Sequence, residues 1–355
     1  SKIGCMKYIH LLLLSFLFTA CSDQNKLASS SVNIGEGQMP ALAKDADNNI
    51  HLVYGIGDSI MYTSSADGGA TFIAPVLVDT LADLVDFATR GPQIAATKNG
   101  VAIIAVNQQG DIFSYSKDQS NKWLKAVRVN DTDTTNKEGF LGLSSDGNNK
   151  LFAIWPDLRD NNLNKIFGAQ STDGGQIWNK NVLVYASPDS TVCECCRPSV
   201  LMHENHVYVM FRNFLHGNRD LYLIQSDDAG TTFGTAQKLG NGSWQLDGCP
   251  MDGGSISMNA QNVQTVWRRR DSIFSAIPGK AEQFISVGKG CTVAAKEDAT
   301  VYAWVKDGKI LYKINDSEAR VIGDGNSPVV QVIDGKSFIC AWTDNGIIKS
   351  RLVSL

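Results

Sequence analysis

The sequence lacks the features that mark three broad classes of protein. Only 19% of its 355 residues are charged, its formal net charge is −4, and it has no basic block interleaved with aromatic residues. Nucleic acids are bound by clustered Lys and Arg, so no nucleic-acid partner is predicted. After residue 21 no apolar run approaches the roughly 20 residues of a membrane-spanning helix. Apolar residues at helical spacing are missing as well, which argues against an α-helical domain.

The first long apolar run lies near the N-terminus. Residues 7–20 read KYIHLLLLSFLFTA: one Lys, a run of about ten apolar residues and then small residues before Cys21, the pattern of a secretory signal. The junction Phe18-Thr19-Ala20-Cys21 resembles a bacterial lipoprotein box, and the alternative is an ordinary signal peptide. The expectation is a signal over 1–21 with a lipidated Cys21, a polar tether over 22–30 and a single domain over 31–355. The protein would then be exported and anchored by lipid in the cell envelope, at the outer membrane or the periplasmic face.

Four segments of the remaining chain repeat one pattern, a Ser, an Asp two residues later and an aromatic residue five further on. They start at residues 65, 116, 171 and 226, and each follows a short run of alternating apolar residues. Alternation of period two that ends in a Gly-containing turn predicts a strand entering a hairpin. The residues that define the pattern are Ser65, Asp67, Phe72, Asp118, Trp123, Ser171, Asp173, Trp178, Ser226, Asp228 and Phe233.

The same hairpin recurs after the pattern itself has faded, so that paired strands are predicted at seven places. Each pair follows a further strand-like run, and six pairs precede a fourth. Seven four-stranded units in series favour an all-β fold, a β-propeller with seven blades, with six blades as the alternative. The seventh unit lacks a downstream fourth strand, and residues 31–35 are predicted to supply it and close the ring.

The repeated pattern resembles the Asp boxes of sialidase-type β-propellers, and the likeness of the blades covers essentially all of the chain after the signal. The usual sialidases of this type have six blades. The segments WPDLRD (155–160), FRN (211–213), HGNRDLYL (216–223) and WQLDGCPMDGG (244–254) resemble a bacterial lipoprotein branch that is often labelled exo-α-sialidase by similarity.

Blade topology sorts these motifs between the two ends of a propeller. Turns between second and third strands lie at the same end as the links between blades, whereas every Asp box falls in a turn between third and fourth strands, at the other end. In such a turn the Asp can accept hydrogen bonds from backbone N–H groups, a Gly supplies a positive φ, and the aromatic residue can pack between sheets. The Asp boxes are therefore predicted to be structural.

Arginine is predicted to converge at the end that holds the links. A guanidinium fork binds a carboxylate with two hydrogen bonds, so this cluster suits an acidic glycan or another anionic small ligand. The alternative is that several of these side chains pair with Asp157, Asp160, Asp220 or Asp271 and only hold loops together. Candidate catalytic residues are Asp157, Arg159, Arg212, Arg219 and Arg268, and candidate ligand-binding residues are Gln38, Arg90, Arg197, Arg269 and Arg270.

The sequence argues against catalysis of the sialidase type, because it departs from the residues that such catalysis needs. The resemblance implies three arginines on the sugar carboxylate, an Asp general acid and a Tyr nucleophile beside a Glu. The place of the first arginine, in an Arg-Ile-Pro motif, reads Gln38-Met39-Pro40 here, so the charge is missing. Tyr302 and Tyr312 lie in strand-like alternation rather than in a nucleophile motif. Whether the protein is an enzyme stays open.

Cysteines occupy equivalent links of three neighbouring blades, which predicts that their thiols converge. They are Cys193, Cys195, Cys196, Cys249 and Cys291. In an exported protein such a group predicts disulfides, for example Cys196 to Cys249. A soft-metal site for copper or zinc is the alternative. Cys340 lies in an alternating strand and is predicted to be a small buried apolar residue.

Two functions of different class follow from the sequence. One is a monomeric envelope protein, enzyme or lectin, that uses its arginines on an acidic glycan. The other is a non-catalytic propeller with a metal or redox site at its cysteines, or with loops displayed to a protein partner.

Overall fold

The structure is a computed structural model that describes residues 30–118, 120–133, 135–189 and 191–355. The predicted signal and lipidated Cys21 lie outside the described residues, as does the tether apart from Ser30. Every regular element in the described part of the chain is a β-strand, and no membrane-spanning helix is found there.

The strands form seven antiparallel sheets of four strands each, which are the blades of a propeller. Blade one contains β2 Gln38–Lys44, β3 Ile50–Ile56, β4 Ser59–Ser65 and β5 Val76–Thr80. Blade two contains β6 Gln93–Thr97, β7 Gly100–Val106, β8 Ile112–Ser116 and β9 Val127–Arg128. Blade three contains β10 Gly142–Ser145, β11 Leu151–Asp157, β12 Lys165–Ser171 and β13 Val182–Tyr185. Blade four contains β14 Ser199–His203, β15 His206–Arg212, β16 Leu221–Ser226 and β17 Gln237–Lys238.

The remaining three blades follow the same order. Blade five contains β18 Ser255–Met258, β19 Val263–Arg269, β20 Ser272–Ala276 and β21 Gln283–Val287. Blade six contains β22 Lys289–Lys296, β23 Ala299–Lys306, β24 Lys309–Ile314 and β25 Arg320–Asp324. Blade seven contains β26 Asn326–Asp334, β27 Ser337–Asp344, β28 Ile347–Ser354 and, as its outer strand, β1 Val32–Glu36.

The ring is closed by a strand from the start of the described chain. First strands of successive blades contact one another all the way round, from β2 through β26 and back to β2, so they surround the axis. β1 pairs antiparallel with β28, and Val32 lies opposite Ser350. The prediction of an all-β propeller with seven blades, closed by an N-terminal strand, is confirmed.

Core packing explains why the second strand of each blade is the most apolar. All seven residues of β11 are buried, because this strand lies inside its own sheet and between the faces of two neighbouring blades. Apolar clusters span neighbouring blades accordingly; one joins Ile154 and Ile166 of blade three to Val207, Val209 and other residues of blade four. Stability is thus distributed over the interfaces between blades.

Antiparallel pairing divides the connections between two ends of the ring. One end, which we call the link end, holds the links between blades and the turns between second and third strands. The other, the Asp-box end, holds the turns between third and fourth strands, including 66–75, 172–181 and 227–236. The candidate site is sought at the link end.

Candidate functional site

The Asp boxes have the structural geometry that the sequence predicts. In the first box Ser65 Oγ accepts a hydrogen bond from Gly69 N at 2.7 Å, and Asp67 accepts bonds from Thr71 N at 2.9 Å and Thr71 Oγ1 at 2.6 Å. The box aromatic, Phe72, packs against the apolar clusters between blades one and seven. These groups are satisfied within their own turn, so the box has no side chain left for a ligand.

The other boxes differ in how complete they are. The boxes of blades three and four repeat the first one, with a Gly N bound to Ser171 Oγ at 3.0 Å and another bound to Ser226 Oγ at 2.9 Å. In blade two, Asp118 accepts bonds from Ser120 and Lys122 but none from Ser116 among the described contacts, and Trp123 packs on the core. The turn of blade two therefore keeps only part of the pattern.

A cavity lies on the axis at the link end. Its walls come from the first strands of blades one, six and seven and from the segments at or just before the first strands of blades two, four and five. It has a volume of about 70 Å³, which is room for about two water molecules. A cavity of this size admits one functional group of a ligand. The lining residues with polar side chains include Thr89, Gln93, Arg197, Asp252, Thr292 and Ser327.

Arg90 and Arg197 both line this cavity, and Arg197 forms no ion pair at contact distance among the described residues, although the Asp252 carboxylate of the same cavity attracts its charge. No described residue places a carboxylate oxygen within 4.0 Å of its guanidinium group, and no described residue accepts a hydrogen bond from it. Its backbone is held directly against Gly253, at a point where any Cβ would collide with it. The link into blade five thereby fixes an Arg whose donors are available to a ligand.

Asp157 and Arg159 are bound to each other. Arg159 Nη2 lies 2.8 Å from Asp157 Oδ2, its Nη1 lies 3.0 Å from Asp131, and the Asp157 carboxylate also accepts bonds from Trp155 Nε1 and Thr135 Oγ1, each at 2.8 Å. Although burial raises the pKa of Asp157, the bonds from Arg159, Trp155 and Thr135 outweigh it and lower that pKa. This pair holds the turn between β11 and β12, as the structural alternative in the sequence analysis proposed.

Arg212 is buried and donates only to backbone carbonyl groups among the described residues. Its Nε and Nη2 bind Asp252 O at 3.1 and 2.8 Å, Nη1 binds Arg219 O at 2.7 Å, and Nη2 also binds Arg268 O at 2.8 Å. With 1% of its surface exposed, this side chain joins the loops of blades four and five. It does not reach a ligand.

The remaining arginines divide between paired and unpaired side chains. Arg269 forms two bonds to Glu282, at 2.5 and 2.8 Å, and Arg219 lies 3.3 Å from Glu194. Arg90 stacks on Phe140, 4.0 Å from the ring centroid, and donates to Glu138 O.

Two others have no carboxylate partner within 4.0 Å in the described chain. Arg268 donates to the carbonyl groups of Arg270 and Pro250. Arg270 is exposed and has a positive φ of 56°. Of the acids expected as partners, Asp220 and Asp160 pair with Lys238 and Lys165 instead.

Four cysteines converge beside Arg219, and two of them form a disulfide. Cys195 is bonded to Cys249, with their Cα atoms 6.0 Å apart, which staples the link into blade four to the link into blade five. A staple between these links was predicted, but with Cys196 as the example, and the structure uses the neighbouring residue. Cys291 lines the axial cavity and lies outside the described sulfur group of Cys193, Cys195 and Cys196.

The pKa values of the two free thiols of the cluster, Cys193 and Cys196, are shifted in opposite directions. The Cys196 thiol, 3.2 Å away, and then the Arg219 guanidinium lower the pKa of Cys193 to about 7 in spite of burial. Burial raises the pKa of Cys196. Cys340 is fully buried in blade seven, as the alternation predicts.

Comparison with known proteins identifies the fold. No family model matches the sequence, and no curated protein matches it. A solved structure described as a Hadza microbial sialidase, Hz136, superimposes with a TM-score of 0.56 at 12% identity, over 92% of this chain and 68% of its own. The BP39L lectin from Burkholderia pseudomallei superimposes with a TM-score of 0.61 at 9% identity, over 90% of this chain and 96% of its own. This chain has the β-propeller fold of these proteins. At these identities the likeness shows the fold alone.

A third structural neighbour extends the range of proteins with this fold. It is an ulvan lyase, of a polysaccharide lyase family, with a TM-score of 0.54 and 9% identity, over 90% of this chain and 95% of its own. By their names, these three proteins are a hydrolase, a lectin and a lyase, all concerned with carbohydrate. The fold is compatible with each of these activities and selects none.

The groups that the sialidase resemblance implies are not assembled at the cavity of this propeller. Gln38, at the place of the first arginine, points its amide to Asp86, 3.4 Å away, while Met39 and Pro40 line the cavity. Tyr302 and Tyr312 are buried in apolar clusters of blades five to seven. Neither Tyr lines the axial cavity.

Several residues of the site were not identified from the sequence. Gln93, Asp252, Thr292 and Ser327 line the cavity because each lies at or just before the first strand of a blade. The alignment of equivalent positions in successive blades, which grouped the cysteines in the links, would also have identified these four residues. Glu194 lies in the same link as the cysteines, whereas Asp131 and Glu282 carry no such signal because they lie in loops beside the outer strands.

Proposed function

We propose that this sialidase-like propeller binds the carboxylate-bearing end of an acidic glycan at its link end, as a lectin rather than a hydrolase. The observation that carries the proposal is Arg197, a cavity-lining guanidinium group that has no carboxylate within 4.0 Å and no hydrogen-bond acceptor among the described residues, with the Asp252 carboxylate attracting it from farther away in the same cavity. A guanidinium fork matches the two oxygens of a carboxylate, and bidentate pairs of this kind are among the stronger hydrogen bonds in proteins.

Binding without hydrolysis is favoured by what the cavity contains. Its polar lining offers donors and acceptors in Gln93, Thr292 and Ser327, but no Tyr nucleophile. Its volume of about 70 Å³ suits a single carboxylate group, with the sugar ring remaining at the mouth. Arg268 and the exposed Arg270 lie at the turn between the second and third strands of blade five, at the link end, and neither has a carboxylate partner within 4.0 Å in the described chain. Their positive charges would add attraction for an anion.

The test is a binding titration with the methyl glycoside of a sialic acid and, separately, with its methyl ester. We expect the acid to bind and the ester to lose at least tenfold in affinity, and Arg197→Ala to weaken the acid by about 10 to 100-fold, since a hydrogen bond to a charged group contributes about 1.5 to 3 kcal/mol. Arg320→Ala is the matched control, because Arg320 is exposed on the outer strand of blade six.

The same preparation is assayed on a fluorogenic sialoside. Turnover that Arg197→Ala abolishes would make the protein a sialidase and contradict the lectin proposal. Equal affinities for the acid and the ester would show that the protein does not recognise the carboxylate. Arg212→Ala is unsuited to either assay because that side chain supports the backbone of two loops.

We further propose that the chain acts at the cell envelope as a lipid-anchored monomer. The support is the signal pattern over residues 7–20 and the Cys21 that follows it. Metabolic labelling with a radioactive fatty acid in a bacterial host tests this. Label is expected on the wild type and not on Cys21→Ser, and an unlabelled wild type would indicate an ordinary signal peptide.

A further inference from the structure

The cysteine cluster contains two thiols that the disulfide does not explain. Cys195 and Cys249 staple two blades, but Cys193 and Cys196 remain free thiols, and their sulfur atoms lie 3.2 Å apart. Their spacing, C-x-x-C, places both side chains on one turn of the link into blade four. Both residues are buried, with 2% and 3% of their surface exposed.

Apolar packing does not account for this pair. A free Cys is commonly a small core residue, and Cys340 is one, packed among residues of blades six and seven. Cys193 and Cys196 instead form a separate buried group whose described members are only the three cysteines. Arg219 Nη1 lies 3.2 Å from Cys193 Sγ and 3.3 Å from Glu194 Oε2, so the sulfur and this carboxylate share the guanidinium group. A positive charge held against a thiol suits a site where sulfur carries negative charge.

We propose that Cys193 and Cys196 form a dithiolate site for a soft monovalent metal ion, Cu(I). Thiolates select soft ions, and Cu(I) accepts two sulfur ligands. Zinc requires four ligands, and the other two sulfurs at hand are joined in the disulfide. The proposal uses different residues from the glycan site and stands without it.

Charge and proton balance are simple at such a site. Cu(I) binds the two sulfurs and displaces one proton from each thiol to solvent, with no change of oxidation state. The resulting complex carries one negative charge beside the guanidinium of Arg219, 3.2 Å from Cys193 Sγ, and the group of complex, Arg219 and Glu194 keeps a net charge of −1. Metal–sulfur bonds are about 2.3 Å long, so for a near-linear two-coordinate ion the two sulfurs must separate from 3.2 Å to about 4.6 Å.

The test is an anaerobic titration of the purified mature protein, disulfide intact, with Cu(I) against a coloured chelator. One equivalent of Cu(I) is expected, bound in competition with the chelator, and none in Cys193→Ser or Cys196→Ser. Cys340→Ala removes a buried thiol elsewhere and should keep the full equivalent. Circular dichroism of each variant checks that it is folded.

A measurement on the wild type keeps the proposal testable if the variants do not fold. X-ray absorption at the copper edge should give two sulfur neighbours and no more than one nitrogen or oxygen. Absence of copper binding, or a native mass that indicates a second disulfide between Cys193 and Cys196, would overturn the proposal. Tight zinc binding with four sulfur neighbours and no disulfide would also overturn it, in favour of a four-thiolate site.

Discussion

At the scale of single residues, the arginines of the link end divide by what their guanidinium groups contact. Arg159 and Arg269 bind carboxylates and hold loops. Arg212 binds three carbonyl groups. Arg197 faces the cavity without such partners. The sequence predicted a convergence of positive charge but could not separate these roles, because the partner of each Arg comes from another part of the chain.

Arg212 is expected to matter for stability rather than for binding. Arg212→Met keeps much of the side-chain volume but leaves the carbonyl groups of Asp252, Arg219 and Arg268 without a donor. Since a buried group left unsatisfied costs about 1 to 3 kcal/mol, the free energy of unfolding should fall on the order of 3 kcal/mol. Urea unfolding measures this fall in stability as a lower urea concentration at the unfolding midpoint.

The exposed Arg320 supplies the comparison for that experiment. Arg320→Met should change the free energy of unfolding by no more than about 0.5 kcal/mol. Equal midpoints for the two variants would mean that the carbonyl groups around Arg212 find other donors.

At the scale of elements, the Asp box is a turn that also joins blades. Its fifth residue is Gly in the boxes of blades one, three and four, with φ between 90° and 95°. A Cβ at Gly69 would collide with Ile339 of blade seven, and one at Gly230 would collide with Phe152 of blade three. The box therefore requires Gly for its positive φ and for its close approach to the preceding blade.

The box carboxylates give a prediction about pH. Partial burial raises the pKa of Asp67, but the bonds from Ser65 and Thr71 outweigh it and lower that pKa to about 2. The bonds from Thr232 and then Ser226 likewise lower the pKa of Asp228 to about 2. Because both values lie below the ordinary 3.8, the carboxylates stabilise the fold above about pH 4 and lose that effect as the pH falls towards 2.

Melting temperatures of Asp67→Asn and Asp228→Asn test this pH dependence. Each variant should melt below the wild type at pH 7, and the gap should narrow between about pH 4 and pH 2. Asp316→Asn, at an exposed turn, should have the same melting temperature as the wild type at every pH. A gap that stayed constant with pH would show that the carboxylate charge has no part in the stabilisation.

At the scale of the whole molecule, the ring depends on a strand from each end of the described chain. β1 contributes Ile34 to a cluster with Leu52, Tyr54, Ala341 and Ile348, which links blades seven and one. Without β1, the edge of β28 would be left unpaired, and unpaired edges associate with other chains.

Removal of the closing strand should therefore weaken the whole propeller. A chain that begins at Gln38 is expected to melt at least about 5 °C below one that begins at Ser30. It should also elute earlier than a monomer in size-exclusion chromatography. Unchanged melting and elution would show that three strands suffice for blade seven.

The sequence alone determined the repeat, the closing strand and the structural nature of the Asp boxes, and it favoured seven blades over six. These follow from local alternation and from turns whose hydrogen bonds lie within a few residues. Only the tertiary structure decided which arginines lack a carboxylate at contact distance, which Cys bonds to Cys249 and which residues line the axis. Those facts depend on distances between links about 50 residues apart, such as the 54 that separate Cys195 from Cys249. A local pattern carries no information about such distances, whereas ring closure fixes them.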